Sequence, residues 1–201
     1  MDRDTVWQHV DRQRTEVADL IDAIDARDPA LWSTPSLCAG WNVRHVAAHL
    51  THSTMSMPRM LVEAARSGFR FNAMMNRMAT TDSQTPAEIA ATLRGAAGSR
   101  RHPPGTTELD PLTDLLVHSQ DICVPLGIDR PMPADAAVAA AHRVWGMGFP
   151  HRAQKRWAGV HLVATDADFS VGEGRTVEAP IGDLLMVLTG RQIGAKRSSG
   201  L

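Results

Sequence analysis

Apolar residues recur at helical spacing through most of the chain. Between residues 4 and 26, valine, leucine and isoleucine return at this spacing among aspartates and arginines, as on a helix with one buried face. Proline, glycine and short polar runs separate such stretches and mark the connections between them. The pattern predicts helices over residues 4–26, 43–67, 69–80, 86–98, 111–124, 134–145 and 180–190.

The pattern changes near residue 159. Residues 160–165, 169–171 and 176–178 are short, alternating or β-branched runs, and aspartate and glycine between them mark turns. A mainly α protein with a small C-terminal α/β part is therefore predicted. We expect a helical domain over residues 1–158, a strand–helix appendage over 159–191 and a disordered tail over 192–201.

Composition narrows the class of protein. The 201 residues are 43% apolar and 21% charged with a formal net charge of −1, and no basic block stands out. Nucleic acid therefore has no electrostatic support as a partner. The longest apolar runs are too short to span a bilayer, no signal peptide is visible, and two cysteines make no disulfide framework. We expect a cytoplasmic protein without a membrane partner, and the arginine-rich composition is typical of a GC-rich bacterial genome.

Three histidines lie on one side of the predicted helix 43–67. At about 3.6 residues per turn, steps of four and seven residues bring a side chain back to nearly the same direction. His45, His49 and His52 therefore form one stripe. His45 would lie in the first turn, where a cation is unfavourable, whereas His49 lies deeper between aliphatic residues. Spacing favours His49 as a metal ligand, although a histidine on a helix is more often structural.

A second polar stripe crosses the predicted helix 111–124. Asp114, His118 and Asp121 follow the same spacing among leucines and valine. A carboxylate and an imidazole facing a core are costly unless they pair or bind a metal. Together with His49, Asp114 and His118 would offer a metal two nitrogens and one oxygen. Such a set leaves one coordination position open, as catalytic zinc sites do. The alternative is a hydrogen-bonded Asp114–His118 pair. Asp121 would orient His118, act as a base, or solvate the helix end.

Cys38 is a candidate nucleophile because it precedes a helix start, where a thiolate is favoured. A small apolar residue before an N-cap also packs as a hydrophobic staple. We favour the packing role, and Cys123 has a weaker case as a nucleophile. The chain has no Ser–His–Asp signature, glycine-rich phosphate loop, EF-hand loop or H-E-x-x-H motif.

Several segments resemble one family. Residues 37–50, LCAGWNVRHVAAHL, are similar to the N-terminal signature of the mycothiol-dependent maleylpyruvate isomerase family, which belongs to the DinB-like metal-binding bundles. Residues 115–127 resemble its second metal segment, and much of 159–191 its C-terminal part. The resemblance implies an up-and-down four-helix bundle with a small α/β appendage. It also implies that His49, Asp114 and His118 are the metal ligands, with Asp114 where the family has glutamate.

The resemblance therefore implies an enzyme with one divalent metal and with mycothiol or a related thiol as cosubstrate. Zinc is the first choice for two imidazoles and a carboxylate, although nickel, iron and manganese accept such a set. The metal would bind the thiol as a thiolate, which would attack a small electrophilic substrate and give S-transfer or isomerisation. The alternative is a non-catalytic bundle that binds a metal or ligand in a regulatory role. The electrophile and the oligomeric state stay open, and a dimer is compatible with the sequence.

Overall fold

The chain folds mainly into α-helices, and one small sheet lies near its C-terminus. The computed structural model describes residues 1–103 and 105–192. The predicted fold class, mainly α with a small C-terminal α/β part, is confirmed. Helices of the described residues are α1 (Arg3–Arg27), α2 (Val43–Leu50), α3 (Met57–Arg66), α4 (Phe71–Thr81), α5 (Pro86–Gly95), α6 (Leu109–Cys123), α7 (Ala134–Gly146), α8 (Ala153–Arg156) and α9 (Ile181–Leu188). Strands are β1 (Val160–Ala164), β2 (Ser170–Gly172) and β3 (Arg175–Ala179), and 3₁₀ helices occupy Pro29–Ser33 and Thr51–Thr54.

Contacts within the chain define two compact units. One unit comprises Trp7–Asp129, and the other comprises Met1–Val6 together with the chain from Arg130 onward. The predicted domains, 1–158 and 159–191, are segments that we expect to fold independently. Contacts alone do not test this, so the domains stay a prediction. The predicted tail over 192–201 lies, beyond its first residue, outside the described residues. Within the described ranges, no helix has the length and apolar character needed to cross a membrane.

Helix α2 lies at the centre of the unit Trp7–Asp129. It packs against α4, α5 and α6 and against the 3₁₀ helix Pro29–Ser33. Its buried side chains are aliphatic, whereas most of α6 is buried on all sides. The two helices that carry the predicted polar stripes, α2 and α6, are packed neighbours.

The side chain of Asn42 caps the start of α2, as predicted. Asn42 Oδ1 accepts a hydrogen bond from the His45 backbone N–H at 2.9 Å, and His45 Nδ1 accepts one from the Asn42 N–H at 3.3 Å. These two bonds satisfy backbone donors that a helix start leaves open. The histidine takes the place that glutamate or glutamine usually has in this motif.

The predicted helix 43–67 is wrong as one continuous element. Helix α2 ends at Leu50, a 3₁₀ turn follows, and α3 begins at Met57. Pro58 lies in the first turn of α3 and does not kink an existing helix. A proline there costs little, because its missing N–H would have no partner within the helix and its φ suits a helix start.

Arg14 fastens α1 to the C-terminal end of α5. Only 1% of the residue is exposed. Its Nη1 donates hydrogen bonds to the backbone oxygens of Ala96 at 2.8 Å and Ser99 at 2.9 Å. The guanidinium thereby meets carbonyl groups that have no partner within a helix that ends there.

The C-terminal unit contains a three-stranded sheet in the order β2-β1-β3. Strand β1 is antiparallel to β2 and parallel to β3, with Leu162 opposite Val171 and Val177. Helix α9 packs against β1 and α7. Gly172 has φ +83°, and a Cβ there would lie 2.2 Å from the Val160 carbonyl oxygen. Only glycine fits this position.

Candidate metal centre

His49 and His118 lie against each other where α2 packs on α6. Their ring centroids are 4.8 Å apart, and the rings are nearly perpendicular at 81°. His118 is buried with 9% exposed, and His49 is partly exposed. Trp41 lies beside His49, with ring centroids 5.2 Å apart. The structure therefore brings together one histidine from each predicted stripe.

Asp121 holds the His118 ring. The Asp121 carboxylate is fully buried, and its Oδ2 lies 2.8 Å from His118 Nδ1. A carboxylate beside one ring nitrogen favours the tautomer that carries the proton there, so that the lone pair is on the other nitrogen. A metal-binding histidine usually has such an outer partner. The arrangement agrees with the orienting role considered for Asp121.

Cys38 approaches the same carboxylate from the loop before α2. Its thiol donates a hydrogen bond to Asp121 Oδ2 at 3.1 Å, and Sγ lies 3.7 Å from His118 Nδ1. In the chain that the structure describes, the trio of Cys38, His118 and Asp121 has ligand atoms that all lie within 4.8 Å of one another. This group combines sulfur, nitrogen and oxygen donors, all of which zinc accepts.

Sequence reasoning missed the contact between Cys38 and Asp121. The two residues are 83 positions apart, so no helical spacing relates them. The available signal was the position of Cys38 in the loop before a helix that itself carries a candidate ligand. That signal suggested a packing role, whereas the structure gives the thiol a polar partner as well.

Asp114 lies on α6 one turn before His118, and it is exposed. It is not a member of the trio formed by Cys38, His118 and Asp121. The structure thus joins His49 to His118 and Asp121 to His118, while Asp114 lies on the solvent side of α6. Its assignment as a metal ligand stays a prediction.

The outer members of the first stripe have other partners. His45 caps α2, and the pKa of its ring is lowered by burial and then by Arg44. His52 lies one turn beyond His49, with ring centroids 5.8 Å apart. Its Nε2 lies 3.4 Å from Asp82 Oδ2, and 8% of its side chain is exposed. Burial lowers the pKa of His52, although Asp82 acts in the opposite direction.

Asp82 is fixed at the end of α4. Burial would raise the pKa of Asp82, but hydrogen bonds from the Gln84 backbone N–H and side chain and from His52 outweigh it, and the pKa is lowered. The backbone bond from Gln84 is 2.8 Å long. The carboxylate therefore stays ionised beside His52.

A cavity of about 650 Å³ opens beside the His52–Asp82 pair. Helices α3 and α4 line part of it, and the other lining residues lie on the 3₁₀ turn after α2, on loops and on α5. Glu63 forms ion pairs with Arg66, at 3.0 Å, and with Arg77. With His52 neutral, three arginines and two carboxylates give the lining one net positive charge. These charged residues are Arg59, Arg66, Arg77, Glu63 and Asp82. This volume and polarity suit a small polar molecule.

Comparisons with known proteins agree on one family. Residues 10–111 match the family model described as the mycothiol maleylpyruvate isomerase N-terminal domain. A crystal structure of the mycothiol-dependent maleylpyruvate isomerase has 13% sequence identity and a TM-score of 0.61, and the match covers 96% of this chain and 90% of that one. A histidine-to-alanine mutant of that enzyme has 13% identity and a TM-score of 0.64, with 100% of this chain and 95% of that one covered. No curated protein matched the chain at a significant level. At such low identity, the structural matches establish the shared fold.

Proposed function

Because this chain belongs to the family of the mycothiol maleylpyruvate isomerase N-terminal domain, we propose that it is a metal-dependent enzyme that uses a low-molecular-weight thiol. The thiol is mycothiol or a related compound, and the substrate is a small electrophile. The reaction is S-transfer or thiol-assisted isomerisation. The family match and the shared fold support the thiol-dependent class of reaction.

One observation carries the metal assignment. The rings of His49 and His118 lie face to edge between packed helices, and a buried carboxylate accepts a hydrogen bond from Nδ1 of the second ring. This donor set fits a divalent metal, because the outer carboxylate favours the tautomer that leaves a lone pair on His118 Nε2. In the proposal His49, His118 and Asp114 would hold the ion. Asp121 orients His118, a role that suits its complete burial better than proton exchange with solvent does.

Zinc is the first choice for this set, and a bound zinc ion would supply a lowered thiol pKa at neutral pH. The chain's own side chains would supply orientation. The partly exposed edge of His49 leaves an approach for a thiol, and the polar cavity beside His52 supports an adjoining place for the electrophile. Trp41 would exclude water from one side of His49.

A turnover assay with matched histidine variants tests the proposal. The purified protein is loaded with zinc, supplied with mycothiol and assayed against maleylpyruvate and a panel of other small electrophiles. Removing one ligand should cost more than the 10–100-fold that is typical of changes around the ligands, so His49→Ala should lower turnover by more than about 100-fold. His45→Gln is the control: it changes a histidine on the same helix, keeps a capping acceptor and should keep turnover within a few-fold.

Two results would contradict the proposal. Turnover in His49→Ala close to that of the wild-type protein would remove His49 from the site. Bound zinc without thiol turnover of any tested electrophile would favour the alternative, a non-catalytic bundle that binds a metal or ligand.

A further inference from the structure

On the Nδ1 side of His118, the Cys38 thiol joins the Asp121 carboxylate, which the proposed function uses only to orient the ring. We infer that Cys38, His118 and Asp121 form a second position for a thiophilic divalent ion such as zinc, separate from the position beside His49. The donors are Cys38 Sγ, His118 Nδ1 and an oxygen of Asp121. This inference does not require the proposed thiol chemistry, although both positions use His118.

The spacing of the donors fits a tetrahedral ion. With Zn–S of about 2.3 Å and Zn–N or Zn–O of about 2.1 Å, the donor atoms of a tetrahedral site lie about 3.4–3.6 Å apart. Here Sγ lies 3.7 Å from Nδ1 and 3.1 Å from Asp121 Oδ2, and Nδ1 lies 2.8 Å from that oxygen. The widest pair already has the required separation. The other two pairs must open by about 0.5–0.6 Å, which small changes in side-chain torsion angles supply.

The loop that carries Cys38 is fixed independently of the thiol. The Leu37 N–H donates to the Asp121 backbone oxygen at 3.3 Å, which ties the loop to α6. The Trp41 N–H donates to the Cys38 oxygen at 3.0 Å and closes a turn, in which Gly40 has φ +79°. The Cys38 N–H donates to Ser36 Oγ at 3.1 Å. Since these bonds hold the backbone, an arriving ion need not order the loop.

Charge favours an ion at this position. With a neutral thiol and a neutral imidazole, the trio has one negative charge, on the fully buried Asp121 carboxylate. A divalent ion would replace the Cys38 thiol proton, which leaves to solvent, while the imidazole proton moves from Nδ1 to Nε2. The group then sums to zero, from two positive charges on the ion and one negative charge each on sulfur and carboxylate. Burial of a neutral group costs less than burial of a net charge.

The two metal positions exclude each other. A neutral imidazole has one lone pair, so His118 can bind an ion through Nδ1 or through Nε2 but not through both. When His118 binds an ion together with Cys38, it therefore cannot bind a second ion together with His49. Only the position at Cys38 has a sulfur donor, which thiophilic ions prefer.

Cobalt(II) titration of the full chain tests this position, because a thiolate bound to Co²⁺ gives a charge-transfer band in the near ultraviolet. The wild-type protein should develop the band on saturation with Co²⁺ alone. Cys38→Ser should lose it, whereas Cys123→Ser, which changes the buried cysteine on α6, should keep it. His49→Ala should also keep the band. Bound cobalt without the band would overturn the inference, as would a band that survives Cys38→Ser or that depends on Cys123 or His49.

A second measurement needs no variant, so a folding defect in Cys38→Ser would not obscure the result. Iodoacetamide labelling of Cys38 in the wild-type protein is followed by mass spectrometry with and without saturating Zn²⁺. Labelling should slow by about tenfold or more, because a metal-bound thiolate is withdrawn from reaction with the reagent. An unchanged labelling rate with zinc bound would overturn the inference.

Discussion

At the scale of single residues, the surroundings of His118 decide the chemistry. Its Nδ1 lies beside Asp121 and Cys38, while its ring packs against His49. Asp114 and Asp121 both follow helical spacing around His118, yet one is exposed and the other fully buried. The buried carboxylate fixes the ring, so Asp114 is left as the carboxylate candidate for contact with an ion beside His49.

The role of Asp114 is tested by shortening and lengthening its side chain. Both variants are made on the Cys38→Ser background, so that the sulfur-containing position does not retain the ion. If Asp114 is a ligand, Asp114→Ala should weaken zinc binding by more than about 100-fold, beyond the usual effect of residues around the ligands. Asp114→Glu keeps a carboxylate and should retain binding. Because Asp114 is exposed, either change should alter the free energy of unfolding by only about 0.5 kcal/mol.

Isothermal titration with zinc and a thermal melt of each protein provide the readouts. An equal zinc affinity in Asp114→Ala and its parent would exclude Asp114 as a ligand. A loss of affinity in Asp114→Glu as great as in Asp114→Ala would instead show that the site requires the shorter side chain.

At the scale of elements, α2 presents His49 because its start is fixed. The helix has eight residues, too few to be stable without caps and packing. Its first turn depends on Asn42 and on the Nδ1 lone pair of His45. A protonated imidazole has no acceptor, so protonation of His45 removes one of the two capping bonds. The beginning of α2 is therefore sensitive to pH.

We predict a loss of stability on acidification that depends on His45. Burial, followed by Arg44, lowers the pKa of His45 below its ordinary value of 6.5. The unfolded chain therefore binds this proton more readily than the folded chain. The stabilising contribution is complete above the unfolded pKa and decreases as the pH falls through and below that value. His45→Gln keeps a capping acceptor that does not titrate in this range, so its stability should depend less on pH.

Urea unfolding at about pH 7.5 and about pH 5.5 measures the effect. The wild-type protein should lose more free energy of unfolding between the two pH values than His45→Gln loses. His52 is present in both proteins, so its contribution cancels in the comparison. An identical decrease in the two proteins would contradict the prediction.

At the scale of the whole molecule, the sequence and the contacts assign α7 to different units. The sequence predicts a helical domain that continues to residue 158, whereas contacts place the chain from Arg130 onward in the second compact unit. Helix α7 packs on α9, and its buried residues are mostly alanines. Such small side chains bury enough area only when a neighbouring helix approaches closely.

Two fragments distinguish the boundaries. We expect residues 1–158 to expose the alanine face of α7, because this fragment lacks α9, and to bind more of the dye ANS than residues 1–129. Its melting temperature should be no higher than that of the shorter fragment. If residues 1–158 melt several degrees higher, without additional ANS binding, the predicted domain 1–158 is the independent unit. About 1 kcal/mol corresponds to a shift of about 4–8 °C for domains near this size.

Local sequence patterns determined most elements of this fold. The periodic apolar residues of α1 and the proline at the start of α5 specify helices with little reference to the rest of the chain. Asn42 likewise marks a helix start, because its side chain satisfies donors only three residues away. The stripes that contain His49 and His118 were visible for the same reason, since helical spacing is a local property.

Only the tertiary structure decided which polar groups meet. Helix α6 buries polar residues such as Ser119 and Gln120 together with its leucines. Its sequence therefore does not indicate that Asp121 is buried while Asp114 is exposed. Cys38 and Asp121 are joined by a contact across 83 residues. Such a contact exists only after α2 and α6 have packed, and no local pattern records it.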